Sequence, residues 1–224
     1  MRIGIASMQA TELTAKLIKE TLSDAGIDSF YFKDNSQVML ADLVIVLGGD
    51  RGVRNYFHHT LDVDTPVLGI SESESSGFLS QIELKDLSSY INRLKKRDYV
   101  IENVPRIGVK IDGKDVHPVL NDVAVFTSKS ATLMEHVLRV NGEEVWHDNS
   151  DGVIISTPIG SSAYSMSAGG PVIFQAANVF GIISVNSLDI TRRPIIVSDN
   201  SIIEIDEISS RLHCDVVLDG IDRL

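Results

Sequence analysis

Three stretches of this chain carry side chains able to do chemistry. Leu47-Gly48-Gly49-Asp50-Arg51-Gly52 follows an apolar run and sets an aspartate at a glycine turn. Glycine permits a tight turn and close approach of the backbone to an anion, and the carboxylate is able to take a proton or face a metal. Read alone, the stretch also fits a plain turn into a helix with a capping aspartate. Leu120-Asn121-Asp122 places an amide beside a carboxylate, which together offer donors and acceptors to a base or ribose edge, or simply make a turn. The longest stretch runs from Asp151 to Pro171. Beyond Ser156 it holds four serines, a threonine, a tyrosine and three glycines. Small side chains let a ligand reach the backbone, where bare amides and hydroxyls hydrogen-bond it, so this reads as a binding loop. Tyr164 within it fits a stacking lid better than a packed aromatic, because its neighbours are small. Asp219-Gly220 is ambiguous between a turn and a site. The histidines, His58-His59 among them, show no zinc-site spacing, and no metal-ligating residue is assigned.

The elements that must position these groups fall into two textures. Over residues 1–98, strand and helix patterns alternate. Arg2–Ala6, Ser29–Phe32, Leu43–Leu47 and Pro66–Ile70 read as strands. Thr11–Ala25 reads as a helix with Leu13, Leu17, Ile18 and Leu22 on one face and a stop at Gly26, and Lys85–Lys96 as another helix. This rhythm predicts a Rossmann-like α/β domain: an open parallel sheet with ligands at the carboxyl ends of its strands. The run Ser71–Ser76 reads as a loop.

Over residues 99–224 short strands follow one another: Tyr99–Val104, Arg106–Ile111, Asp115–Val119, Asp122–Thr127, Leu133–Val140, Glu143–Trp146, Val153–Ser156, Gly181–Val185, Ile195–Val197, Ile202–Ile205 and Asp215–Leu218. Asp112-Gly113 and Asn141-Gly142 are strong hairpin turns. The second half is thus expected to be an all-β sandwich, making the whole an α+β two-domain fold.

Composition narrows the function. The formal charge of −11 argues against nucleic-acid binding, which wants a basic face. The one dense basic run, Arg93 to Arg97, suits the C-terminal end of a helix. An acidic chain still binds phosphates where helix N-termini, glycine turns or a metal ion act locally. There is no apolar run long enough to span a membrane, and the N-terminus reads as a first strand rather than a signal peptide. The single cysteine, Cys214, excludes an internal disulfide; it fits a cytoplasmic protein and reads as a small buried hydrophobe near a strand.

In this order the pieces resemble the NAD kinase family over nearly the whole chain. The resemblance rests on Gly48-Gly49-Asp50 after a strand, Pro66 to Ile70 with Gly77-Phe78-Leu79, Leu120-Asn121-Asp122, the Asp151–Pro171 loop, Ser187-Leu188 with Arg193-Pro194-Ile195, and Leu218-Asp219-Gly220. Diacylglycerol and sphingosine kinases share the glycine-aspartate turn, but the long loop has the NAD kinase form. The resemblance implies an N-terminal α/β domain of the NAD kinase/diacylglycerol kinase-like kind, a C-terminal β-sandwich, and a site between them. It implies transfer of the ATP γ-phosphoryl to the 2′-hydroxyl of the adenosine ribose of NAD, with Mg²⁺ bridging the substrates and polyphosphate as another possible donor. Asp50 matches the catalytic aspartate. Asn121 and Ser162 would hold adenine, Asp122 the ribose, and Asp151 and Ala163 the nicotinamide half. Tyr164 would stack between the two, and Ser167 and Phe78 would complete the pocket. Gly49 and Arg51 fall at the phosphate turn. The family assembles as dimers or tetramers, so a homodimer or homotetramer is implied, with no membrane or nucleic-acid partner.

The sequence departs from the family pattern at several points. Gly-Gly-Asp-Gly-Thr becomes Gly-Gly-Asp-Arg51-Gly52. A positive φ at that position would strain arginine by about 1 kcal/mol or more, whereas its guanidinium is able to grip phosphate. Asp122 replaces a glutamate, Ile159 a threonine facing the adenosine, Ser71 an asparagine, and Val185-Asn186 a Pro-His pair. A further pair of strands is expected after Gly220, where four residues follow. Arg51 leaves a second reading open, a non-catalytic NAD(P)-binding regulator on the same fold.

Overall fold

The computed structural model describes residues 1–8, 11–31, 40–60, 64–72 and 77–224. The chain divides into two units, Met1–Asn103 and Val104–Leu224.

In the first unit, apolar runs form β1 (Arg2–Ser7), β2 (Asp28–Tyr31), β3 (Leu43–Leu47), β4 (Val67–Ser71) and β5 (Ser80–Glu83), all parallel, in the order β2-β1-β3-β4-β5. All five residues of β3 are buried, as in a parallel strand covered on both faces. The order reverses between β1 and β3, and open sheets of this kind bind ligands at the carboxyl ends beside such a switch. Phe32 and residues 73–76, which belong to two of the expected elements, lie outside the described residues.

Helix α1 (Glu12–Asp24) starts at Thr11, whose Oγ1 accepts from the Thr14 amide at 3.3 Å, and ends before Gly26 at φ +72. Its buried stripe is Ala15, Ile18 and Leu22. The expected face is corrected here, because Leu13 and Leu17 are 77% and 50% exposed. Leu17 stands about 100° round the helix from Ile18, too far to share its stripe. Helix α2 spans Gly49–His59. Helix α3 (Leu87–Lys96) follows a single 3₁₀ turn over Leu84–Asp86, which occupies the start of the expected helix. Arg93, Lys95 and Lys96 fill the last turn of α3, where Lys95 Nζ donates to the Ala25 carbonyl at 2.7 Å.

Tyr99–Val104 is no strand. Val100 and Ile101 are exposed, so their apolarity finds no partner edge, and the first pairing beyond them is the bridge between Ile107 and Val119.

The second unit is a sandwich. Lys110–Ile111 (β6) and Lys114–Asp115 (β7) make a small hairpin. One sheet has the order β10-β9-β14, from β9 (Met134–Val140), β10 (Glu143–Ser150) and β14 (Ile203–Ser210). The other has the order β13-β12-β11-β8-β15-β16, from β8 (Asp122–Thr127), β11 (Gly152–Ser156), β12 (Val179–Val185), β13 (Ile195–Ser198), β15 (Cys214–Leu218) and β16 (Asp222–Arg223). Val125, Val153, Ile155, Phe180 and Ile182 of the larger sheet share a core with Met134, Leu138 and Trp146 of the smaller. Cys214, half-buried, packs against this core.

Strand alternation turns Ala124, Ile154 and Ile183 to the opposite face, where they are also buried. The serine-glycine loop lies against that face: a Cβ on Gly170 would meet Ile183 Cδ1 at 2.3 Å. Asp112-Gly113 and Asn141-Gly142 both take positive φ at each residue, the twist that a two-residue hairpin needs, and Asp219-Gly220 does the same between β15 and β16.

Candidate functional site

In the first unit, the candidate residues lie at the passage from β3 into α2. Gly48 and Gly49 take φ +103 and +63, and the helix begins at once. Gly52 permits this close start, since a Cβ there would sit 2.1 Å from the Leu47 carbonyl oxygen. Asp50 lies in the first turn of α2, and Gly48 occupies the cap position. The Asp50 carboxylate turns toward the entry of β5. Its Oδ1 accepts from the Leu79 amide (3.0 Å), the Ser80 amide (2.8 Å) and Ser80 Oγ (2.8 Å), and its Oδ2 from the Phe78 amide (2.7 Å). Gly77 makes room for this contact, because a Cβ would fall 1.9 Å from Asp50 Oδ1.

Arg51 is exposed and is absent from the positive-φ residues, so arginine stands in place of the family glycine without the strain considered above. Phe78 is 69% exposed. Among the described residues no group of three or more His, Cys, Asp or Glu side chains could hold a metal ion.

In the second unit the Asn121-Asp122 pair is held through its backbone. Thr157, at the start of the loop, donates its amide to the Asn121 carbonyl at 2.9 Å and its hydroxyl to the Leu120 carbonyl at 2.6 Å. The same hydroxyl accepts from the Gly160 amide at 3.0 Å. Gly160 fits only without a side chain, since a Cβ would lie 2.0 Å from the Asn121 carbonyl oxygen. On the other side, the Asp219 carboxylate receives the amides of Leu120 and Asn121. Both Asn121 and Asp122 are buried. Asn121 Oδ1 is buried with no hydrogen-bond partner among the described residues. A buried acceptor left this way is costly, and a donor from a bound water or a ligand would satisfy it.

Tyr164 stacks on Phe126 with ring centroids 5.7 Å apart and 29° between the planes, and it stays half-exposed. Burial pushes its hydroxyl pKa up, and the charges of Asp122 and Asp151 push it further, which places these carboxylates in one neighbourhood. Asp151 accepts from Asn186 Nδ2 at 2.8 Å. Ser162 is half-buried and donates to the Ile159 carbonyl at 3.0 Å, so its hydroxyl proton is used within the loop. Ala163 is half-buried, Ser167 is exposed at the end of the short helix α4 (Tyr164–Ser167), and Ile159 is buried. The second unit thus gathers Asn121, Asp122, Asp151 and Tyr164, and Asp50, Gly49, Arg51 and Phe78 belong to the first.

Several positioning residues escaped the sequence reading. Ser161 donates to the Pro158 carbonyl at 2.6 Å and accepts the Ile173 amide at 2.8 Å, pinning both ends of the loop. Asp148 is buried and accepts from Ser184 Oγ and, at 2.6 Å, from Ser187 Oγ, with Arg192 Nε 3.5 Å away. Arg192 also lies over the Trp146 ring at 4.9 Å. Ser187 and Arg192 are thereby tied to β10, a link that spacing along the chain does not reveal.

By fold, the chain is of the class in which a doubly wound α/β unit precedes a β-sandwich. Residues 6–99 match the ATP-NAD kinase N-terminal domain and residues 120–224 the ATP-NAD kinase C-terminal domain. An NAD kinase of Clostridium botulinum is 36% identical over 198 residues, covering 84% of this chain and 69% of that protein. One of Methanopyrus kandleri is 33% identical over 179 residues, 80% of this chain and 64% of its own length. The fold is shared with an Archaeoglobus fulgidus NAD kinase solved in complex with ATP (TM-score 0.80, 24% identity, all of this chain and 86% of that one). It is shared also with yeast NADH kinase complexed with NADH (TM-score 0.84, 20% identity, all of this chain and 76% of that one). The chain belongs to the NAD kinase family.

Proposed function

We propose that this protein is an NAD kinase, a phosphotransferase that moves the γ-phosphoryl of ATP to the 2′-hydroxyl of the adenosine ribose of NAD and so makes NADP. The observation that carries this reading is the Asn121-Asp122 pair. Its backbone is fixed on both sides, and the amide oxygen of Asn121 is buried and waiting for a donor, which the exocyclic amine of adenine supplies. Ser162 would border the base, Asp122 the ribose, and Asp151 with Ala163 the nicotinamide half. Tyr164 would stack between the two parts, and Phe78 and Ser167 would close the edges.

A ribose hydroxyl is a weak nucleophile at neutral pH, and a positioned carboxylate that accepts its proton contributes about 10²–10⁴-fold. Asp50 is the residue proposed for that task, through Oδ2, which takes one hydrogen bond where Oδ1 takes three. Phosphoryl transfer otherwise rests on positioning and charge neutralisation. The Gly49 turn and the Arg51 guanidinium serve the phosphates, and Mg²⁺ belongs to the substrate as MgATP, with polyphosphate the alternative donor. The ATP and NADH named for the two solved relatives support nucleotides as partners. A cytoplasmic location and a homodimer or homotetramer complete the proposal; among the described residues no helix is long and apolar enough to cross a membrane.

The test is steady-state NADP formation from NAD with MgATP and with polyphosphate in parallel. NADP from at least one donor is expected. Binding of NAD with no NADP from either donor would replace the kinase by the non-catalytic regulator.

A further inference from the structure

Asp219 stands at the first position of the turn between β15 and β16, at φ +53. The same position of the other two hairpin turns is taken by Asp112 and Asn141, both exposed. Asp219 is instead 2% exposed. Its carboxylate folds back to collect three successive amides about a hundred positions earlier in the chain: Leu120 at 2.9 Å, Asn121 at 2.7 Å and Asp122 at 3.3 Å. Its own amide donates to the Asp122 carbonyl at 2.9 Å, so the two segments bond in both directions. Arg106 faces it from a third segment, with Nη2 fixed on the Pro118 carbonyl at 2.8 Å; burial lowers the guanidinium pKa and the Asp219 charge opposes that shift.

A hairpin does not need a buried carboxylate, which is costly to take out of water unless donors surround it. What this one fixes is the peptide that carries Asn121, whose amide oxygen is itself buried and has no hydrogen-bond partner among the described residues. We propose that Asp219 is a positioning residue of the nucleotide site, setting the Asn121 amide in place before ligand arrives. This rests on the reading of Asn121 and Asp122 as NAD-facing. Preorganisation of this kind appears as affinity, because ordering is not charged to the binding step.

The experiment is a double-mutant cycle read by calorimetric titration with NAD. Asn121→Ala is expected to weaken NAD binding about tenfold, the loss of one hydrogen bond at a fixed site. Asp219→Asn keeps the shape but sets an amide NH₂ against a backbone donor. It is expected to cost about tenfold in NAD affinity, to raise KM for NAD rather than lower kcat, and to leave ATP affinity unchanged. Placed in the Asn121→Ala background, the same substitution is expected to cost less than about twofold, because it acts through residue 121.

A folded Asp219→Asn protein with normal NAD affinity, or two losses that simply multiply, overturns the proposal. Normal affinity in Asn121→Ala overturns instead the NAD-facing reading on which it rests. Hydrogen exchange of the unsubstituted protein needs no variant to fold. The Leu120 and Asn121 amides are expected to be protected without nucleotide and unchanged by NAD, and fast exchange slowed only by NAD contradicts preorganisation.

Discussion

Each unit of this chain uses one aspartate to gather consecutive backbone amides, and the two differ in what they leave free. Asp50 receives Phe78, Leu79 and Ser80 together with a serine hydroxyl; Asp219 receives Leu120, Asn121 and Asp122. Asp219 is buried, with its turn closed around it. Asp50 is half-buried, on the first turn of a helix that follows two left-handed glycines. The same motif therefore holds the chain in both places, but Asp219 is buried and Asp50 is only partly so. The proposed roles divide the same way: Asp219 to fix geometry and Asp50 to accept a proton.

The comparison breaks first at Asp50. Asp50→Asn removes the proton acceptor and also sets an amide NH₂ against a backbone donor, so turnover is expected to fall about 10²–10⁴-fold while NAD affinity persists, as measured by initial rates beside a binding titration. A fall in affinity without a fall in kcat would make Asp50 a clamp like Asp219. Gly160→Ala comes next. Its Cβ would press on the Asn121 carbonyl and part the loop from that residue, at a cost of about 1–3 kcal/mol in unfolding free energy, together with weaker NAD binding. An unchanged denaturation midpoint would show that the loop gives way freely.

Tyr164→Ala removes the stack on Phe126, worth about 0.5–1.5 kcal/mol, and is expected to weaken NAD binding up to about tenfold, whereas Tyr164→Phe keeps it. Equal affinities for the two variants would argue against a stacking role. The smallest effect concerns pH. Burial holds the imidazole pKa of His136 below its ordinary value, Asp148 opposing, Arg192 and His147 adding to the depression. The unfolded chain then binds a proton that the folded chain refuses. The stabilising contribution is present above about pH 6.5 and is lost as pH falls from there through the lowered folded value. Unfolding curves of the protein and of His136→Leu are expected to differ in slope over that acid range; parallel curves would remove His136 from the account.

Local signals were legible in the sequence. The Asp112-Gly113 and Asn141-Gly142 turns, the all-apolar β3 and the basic end of α3 depend on neighbours a few positions away, and they stand as read. Failures came where burial is decided by a distant surface. Leu13 and Leu17 are as apolar as Ile18 but point off the sheet, and Val100 and Ile101 have no edge to pair with. Much of the candidate site was legible too, as motifs. What held those motifs was not, because Asp219, Ser161 and Asp148 act through partners on other elements. Asp219 lies 98 residues from the amide it binds most closely, and an Asp-Gly pair looks the same whether its carboxylate faces water or a buried peptide.

The most direct measurement is a single turnover with protein in excess over NAD, started by MgATP, with the product identified by the position of its new phosphate. One equivalent of NADP, phosphorylated on the 2′-hydroxyl of the adenosine ribose, is the expected result. Fully bound NAD that gains no phosphate, or gains it on another hydroxyl, would contradict the assignment.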